Sequence, residues 1–314
     1  MNEYKDLPVQ TGQGRNERTF SETDADLSGG KIKHIFAVYF SPTGNTARIV
    51  THIANILCAK LGTTIDVIDY TLPHNREAGL NFAKDDLVIW GTPVYAGRIP
   101  NKLLYYIRCA KGNGALAVPV AVFGNRNYDD CLMELQKELE KNSFHTIAGA
   151  AFVSAHVFSD KIAPERPDVA DREEMQDFAT KLAKRIENMT TIPKPVEISE
   201  LNVVGEYYTP LGIDGRPAIF LKAKPKTDEA KCIRCGLCAS VCPMGSISED
   251  NPLEVIGICI KCQACIIVCP NKAKYMDDPA FISHKAMLEN NYTRRAANKV
   301  FLPDEEKYQK PNLA

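Results

Sequence analysis

From about position 31 onward, short apolar runs rich in β-branched residues alternate with stretches of helical period. Ile32 to Phe40 reads as a strand buried on both faces. It runs into Ser41-Pro42-Thr43-Gly44-Asn45-Thr46 and then a helix carrying Ile49, Ile53, Ile56 and Lys60 on successive turns. Thr64–Asp69, Asp86–Thr92, Leu116–Gly124 and Ile147–Val157 are the next four strands. A helix opens near Pro100, a favourable first-turn residue. Another presents Leu132, Leu135 and Leu139, and a last one over Asp171–Glu187 carries Met175, Phe178, Leu182 and Ile186. Leu72 to Ala83 is weakly patterned. Strands alternating with helices predict an α/β architecture, a doubly wound parallel five-stranded sheet with right-handed connections.

The pattern stops on either side of this block. Residues 1–30 are polar, without periodicity, and are expected to form a mobile tail. Residues 191–225 read as a linker or crossing segment with a short hairpin around Gly215, and residues 226–280 as a small α+β domain. Residues 281–314 are a C-terminal extension, with a basic helical stretch expected over Asn290 to Lys299.

That small domain contains the one internal repeat. Cys232, Cys235, Cys238, Cys242 and Pro243 recur as Cys259, Cys262, Cys265, Cys269 and Pro270, 27 positions on. Each half is C-x2-C-x2-C-x3-C-P, the bacterial iron–sulfur run, whose fourth cysteine ligates the other cluster. Cys232, Cys235, Cys238 and Cys269 are therefore assigned to one [4Fe-4S] cluster, and Cys259, Cys262, Cys265 and Cys242 to a second. Zinc ribbons pair two C-x2-C knuckles and have no need of this doubled run. The remaining Cys58, Cys109 and Cys131 read as buried small hydrophobes.

A second site lies where the strands end. Ser41, Thr43, Gly44, Asn45 and Thr46 stand between a strand and a helix N-terminus, where free backbone N–H groups favour an anion. An ordinary helix-capping turn is the alternative. The loop carries no Lys, unlike a Walker loop. Two further loops, Thr92-Pro93-Val94-Tyr95-Ala96-Gly97 and Gly124-Asn125-Arg126-Asn127-Tyr128-Asp129, follow the third and fourth strands. Ligands of open parallel sheets bind outside the carboxyl ends of strands, so the three loops predict one crevice, with Tyr95 and Tyr128 as stacking faces for a flat ring. His156 and Tyr128 are the candidate catalytic proton donors beside it, with a structural histidine as the alternative for His156. Arg126 is placed to stabilise an anionic ring or to form a surface ion pair.

Residues 31–190 resemble a flavodoxin domain: Ser41 to Thr46 fits that family's Thr/Ser-x-Thr-Gly-x-Thr phosphate loop. The resemblance implies that this loop holds the phosphate of FMN and that the other two flank its ring. Over roughly residues 31–275 the chain resembles the flavodoxin–ferredoxin fusion proteins of anaerobic bacteria and archaea. A carrier of low-potential electrons between two [4Fe-4S] clusters and FMN is the implied function. The alternatives are an FMN-dependent reductase of a small substrate fed by its own ferredoxin domain, and a cluster-only redox sensor without flavin.

Composition adds bounds. The net charge of −1 and the lack of a basic run argue against nucleic acid, and no apolar run is long enough to span a bilayer. The expected partners are redox proteins or a small reducible substrate, without nucleic acid or membrane. Thiolate-bound iron and the absence of a signal-type start predict a cytoplasmic location.

Overall fold

The computed structural model of the protein describes residues 32–199 and 203–303; the tail expected over residues 1–30 lies outside them. In chain order the elements of the first half are β1 (His34–Tyr39), α1 (Asn45–Leu61), β2 (Thr64–Asp69), β3 (Asp86–Pro93), α2 (Leu104–Arg108), β4 (Leu116–Phe123), α3 (Cys131–Lys141), β5 (His145–Thr146), β6 (Gly149–Val153) and α4 (Val169–Asn188). Then come β7 (Lys226–Thr227), α5 (Leu237–Ser240), α6 (Ala264–Ile267), β8 (Lys274–Tyr275), α7 (Pro279–Asn291) and β9 (Lys299–Phe301).

The main sheet runs β2–β1–β3–β4–β6–β9, with β5 also on β4, and every pairing except β6–β9 is parallel. Through β6 this is the 2-1-3-4-5 order of the flavodoxin-like doubly wound sheets. Side-chain parity divides the core between the two faces. Ile35, Ala37, Leu87, Ile89, Val118 and Val120 join α1 and α4 on one side; Val38, Phe40, Val88, Trp90, Ala117 and Phe123 meet α2 and α3 on the other. Burial on both faces is why these strands read as unbroken apolar runs. Trp90 is fully enclosed, its indole N–H donating to the Tyr70 hydroxyl at 3.0 Å.

Four details depart from expectation. The strand expected over Ile147–Val157 is regular only over β6; the two-residue β5 precedes the expected span, and Ser154 to Val157 are loop. The basic stretch Asn290 to Lys299 is helical only at Asn290 and Asn291. The helix before it is α7, ending at Asn291, and an irregular strap then leads into β9, which adds an antiparallel edge to the sheet. The C-terminal extension is thus built into the first domain through its described residues. Of the three extra cysteines, Cys131 is buried and Cys58 half-buried, but Cys109 is exposed at the end of α2.

In the crossing segment, Leu211 bridges to Pro217 around a turn with Gly215 at φ 74, as the hairpin reading expected. Among the described residues, no helix is long and apolar enough to cross a membrane.

Candidate functional site: a strand-end crevice abutting a double cysteine site

Three loops meet at the carboxyl edge of the sheet. Gly44, at φ 80, is the N-cap of α1 and provides no side-chain cap, which leaves the start of a 17-residue helix open to an anion. A Cβ on Gly44 would meet nothing within 4 Å, so the space in front of the helix is free. Ser41 steadies the turn: its N–H donates to Thr71 Oγ1 at 2.8 Å, and its Oγ accepts from the Ala47 amide at 2.9 Å. Thr46 is buried, and Thr43 stands partly exposed in the turn. Asn45 donates to the Ala155 carbonyl at 3.2 Å and accepts from Arg48, so its side chain ties the loop to the end of β6. Next to that carbonyl, Ser154 Oγ is buried without a hydrogen-bond partner. An open helix N-terminus next to an orphaned hydroxyl fits a phosphate group.

The second loop folds into a tight turn. Tyr95 and Arg98 exchange backbone hydrogen bonds of 2.9 and 3.1 Å, with Ala96 and Gly97 both left-handed. A side chain at Gly97 would be strained by its φ of 78 and would displace Asp129, whose Oδ2 lies 2.4 Å from where a Cβ would stand. That contact joins the second loop to the third, where Asp129 pairs with Arg126. Upstream, Thr92 is fully buried, and Val94 donates to the Val122 carbonyl at 2.9 Å; both belong to the sheet's continuation more than to an open ligand face. Pro93 closes β3.

The third loop distributes its side chains unevenly. Asn125, expected to face the ring, is 1% exposed and fully engaged by the C-terminal strap. Its Nδ2 donates to the carbonyls of Tyr292 and Arg294 at 2.6 Å, and its Oδ1 accepts from the Ala296 amide at 3.1 Å. The side chain therefore has no polar group left for a ligand. Tyr128 packs its ring on Phe123, and burial raises its hydroxyl. Gly124 lies against His156, whose ring a Cβ would meet at 2.5 Å.

His156 retains some surface, but its surroundings keep it neutral. Burial, then His284 and the Arg126 guanidinium, push its imidazole down to about 4. Its Nδ1 accepts from the Phe158 amide at 3.1 Å, which leaves the ring proton on Nε2. At neutral pH such a ring is no source of an imidazolium proton.

The crossing segment supplies residues that the periodicity reading passed over. Tyr208 donates its amide to the Ala96 carbonyl at 2.8 Å and lies with its ring 4.0 Å from the Arg126 guanidinium carbon. Tyr207 donates its hydroxyl to the Ile99 carbonyl at 2.9 Å and stacks against Arg98. Arg98 is clamped on buried Glu134. An adjacent pair of tyrosines in a turn-rich linker was the available sequence signal.

The cysteines sort into two cavities in the cross-ligated sets expected. One is lined by Cys232, Cys235, Cys238 and Cys269, the other by Cys242, Cys259, Cys262 and Cys265. The repeat is also one of backbone. Arg234 and Lys261, Gly236 and Gln263, and Gly245 and Lys272, each pair 27 positions apart, all have φ between 51° and 76°. Four of those six are not glycine, so the loop around each cavity imposes the conformation. Amides of Ser246, Lys261 and Ala273 point at the sulfurs of Cys242, Cys259 and Cys269 at 3.2 to 3.4 Å. Among the described residues no group of three or more His, Cys, Asp or Glu is close enough to hold a metal ion. Four cysteines around each cavity supply the thiolate donor set that an iron–sulfur cluster takes. Burial raises the Cys262 and Cys265 thiols to about 12, so loading them with iron releases protons.

One cavity is inner and the other outer. The Arg76 guanidinium donates to the Pro243 carbonyl at 2.6 Å, and Ile260 packs into the core beneath the sheet. Burial, then Cys262 and Cys259, hold the Tyr95 hydroxyl well above its ordinary value. In the outer set, Cys235 is exposed.

Two family models, both described as 4Fe-4S binding domain, match residues 225–248 and 256–275. No curated protein matches the chain. Among solved structures, the chain is similar to a flavodoxin from the domain Archaea, at 14% identity over 49% of this chain and 99% of that one, with a TM-score of 0.35. It is similar to the flavodoxin of Streptococcus pneumonia TIGR4 at 20% identity over 48% and 99%, TM-score 0.35. For oxidised flavodoxin 2 from Bacillus cereus the values are 16%, 49% and 99%, TM-score 0.37. By its own strand order and its cysteine repeat, the chain joins a flavodoxin-like α/β domain to a 4Fe-4S binding region of ferredoxin type.

Proposed function

We propose that the protein is an electron-transfer iron–sulfur flavoprotein that relays low-potential electrons between two [4Fe-4S] clusters and FMN. The observation that carries this reading is the attachment of the inner cysteine region to the flavodoxin-like domain, through the Arg76–Pro243 hydrogen bond and the packing of Ile260 on that domain's core. When bound, the clusters pass electrons singly and the flavin stores two.

The chain's own residues bind, space and enclose. Ser41, Gly44 and Ser154 offer the phosphate site, the Tyr95–Arg98 turn and Tyr128 flank the ring position, and Tyr208 on Arg126 closes over the side. Fusing the two domains turns a diffusional encounter into an intramolecular one at high effective concentration. A reductase with its own proton donor is less favoured by the neutral, half-buried His156. Redox partner proteins are the proposed exchange partners.

Anaerobic purification with iron, sulfide and flavin quantified tests the proposal. About eight irons and one FMN per chain are expected; four irons, or bound zinc, would overturn the two-cluster assignment. Gly44→Asp places a carboxylate before α1 at a position where Asp tolerates the left-handed backbone. It should weaken FMN binding about 100-fold, roughly 2.7 kcal/mol, while the iron content stays constant. Unchanged flavin affinity in this variant would reject the phosphate site.

A further inference from the structure

The 27-position repeat provides an internal comparison for the contact between the cysteine region and the first domain. Pro243 and Pro270 each follow the fourth cysteine of their half, yet Pro243 is buried and Pro270 is exposed. Gly245 and Lys272 share a left-handed backbone, at φ 56 and 51, so the conformation does not itself demand glycine at 245. Their neighbours differ. A Cβ on Gly245 would stand 3.6 Å from Pro73 Cγ in the first domain, whereas Lys272 is exposed. The corner at Cys242 to Gly245 is therefore the one that docks, and Cys242 is the cysteine that the first half contributes to the inner tetrad.

A short 3-10 turn, Pro73–Arg76, makes the dock from the other side, just after β2. The half-buried Arg76 donates from its guanidinium to the Tyr70 and Thr71 carbonyls at 3.0 and 2.8 Å and, across the boundary, to the Pro243 carbonyl at 2.6 Å. Thr71 in turn accepts from the Ser41 amide through its Oγ1 at 2.8 Å and donates its own amide to Asp69 Oδ1 at 2.9 Å. One stretch of chain thus holds the first residue of the anion-ready turn and, through Arg76, the Cys242 corner. That corner is braced from within: the Gly245 amide donates to the Cys242 carbonyl at 3.0 Å, and the Ser246 amide points at Cys242 Sγ at 3.3 Å.

We propose that Arg76 is a positioning residue for electron exchange between the inner tetrad and the crevice. It fixes the Cys242 corner relative to the turn at Ser41, and with it the separation of the two groups that these residues would hold. In the step it serves, the inner cluster gives up one electron and the flavin takes up one, with no bond made or broken. The rate of such a step falls steeply with separation, so a small misplacement is costly, and setting distance is the part left to the protein. The covalent linker supplies proximity; a directed hydrogen bond between main chains of the two domains supplies a fixed spacing.

The inference rests on the two-cluster flavoprotein reading, and quantifying iron and FMN in the intact protein separates the two. Fewer than about eight irons, or no bound FMN, rejects the reading itself. With both present, the concentration-independent phase of flavin reduction should slow at least about tenfold in Arg76→Ala, while iron, FMN and both cluster midpoints stay as they are. Arg76→Lys, which keeps one donor for Pro243, should recover most of the loss. Gly245→Lys gives the docking corner the side chain of its counterpart and should slow the same phase, whereas Lys272→Gly should not. A second readout needs no flavin: amide exchange over residues 243–247 should rise in Arg76→Ala while exchange over 270–274 is unaltered. An unchanged flavin-reduction rate in Arg76→Ala would overturn the proposal. So would a shifted cluster midpoint, which would make Arg76 a tuning charge, or an equal rise in exchange over both segments, which would mean general loosening of the cysteine region.

Discussion

A single imidazole shows how burial decides chemistry at the residue scale. His156 stands at the mouth of β6, where a proton donor would be useful, yet burial, His284 and Arg126 hold it near 4, below the ordinary histidine value. The unfolded chain protonates this side chain below about pH 6.5, whereas the folded protein resists until about 4. In that interval the unfolded state binds more protons, so His156 makes stability fall as pH drops from about 6.5 towards 4. Denaturant midpoints measured from pH 7 to 4 should decline less steeply in His156→Gln than in the native protein. An equal slope would show that the ring titrates normally. Asn125 gives the complementary case. An amide beside a predicted ring site looked like a ligand, and its three hydrogen bonds to the C-terminal strap could not be foreseen from a segment over 160 positions away.

Elements show the same division between local pattern and distant pairing. α4 was legible because its core stripe and its start agree: Asp168 and Asp171 form a capping box, and Met175, Phe178 and Leu182 are buried. β9, three residues long and without periodicity, exists because β6 would otherwise leave an open edge. The strap before it is fixed by Arg166, which pairs with buried Asp171 and donates to the Ala296 carbonyl, and by Asn298, which accepts from the Val153 amide at 2.9 Å. Val300 is opposite Ala150 in this ladder. Val300→Pro should detach the edge, lower stability by about 1–3 kcal/mol and raise amide exchange over Gly149–Val153 more than over β1. Unaltered protection of β6 would mean that β9 contributes nothing to the sheet.

For the whole molecule, the relevant feature is the docking of the cysteine region on the strand ends. Arg76 on Pro243 and Ile260 on the core of the first domain link the halves, and α7 adds to this by packing Phe281 between Phe158 and Phe220. His284 on the same helix meets the Leu211 carbonyl at 2.8 Å, so the crossing segment is held as well. Electron exchange between clusters and flavin should then be unimolecular. Stopped-flow reduction through the ferredoxin side should give a flavin-reduction phase whose rate is independent of protein concentration and nearly independent of salt. A rate rising with concentration would mean that the halves meet in solution, as separate proteins do.

Much of this was written locally in the chain. The strand–helix alternation, the anion-ready turn at Ser41 to Thr46 and the doubled cysteine run depend on neighbours a few positions apart, and spacing is enough to state them. The strand order, the capture of Asn125 by the strap, the neutral state of His156 and the arrival of Tyr208 over Arg126 depend on which distant surfaces meet. Burial and screening have no local signature, because they are properties of what surrounds a group. The cysteines at Cys232 to Cys269 could therefore be assigned from sequence, whereas the placing of one tetrad inside and the other at the surface was decided by tertiary packing.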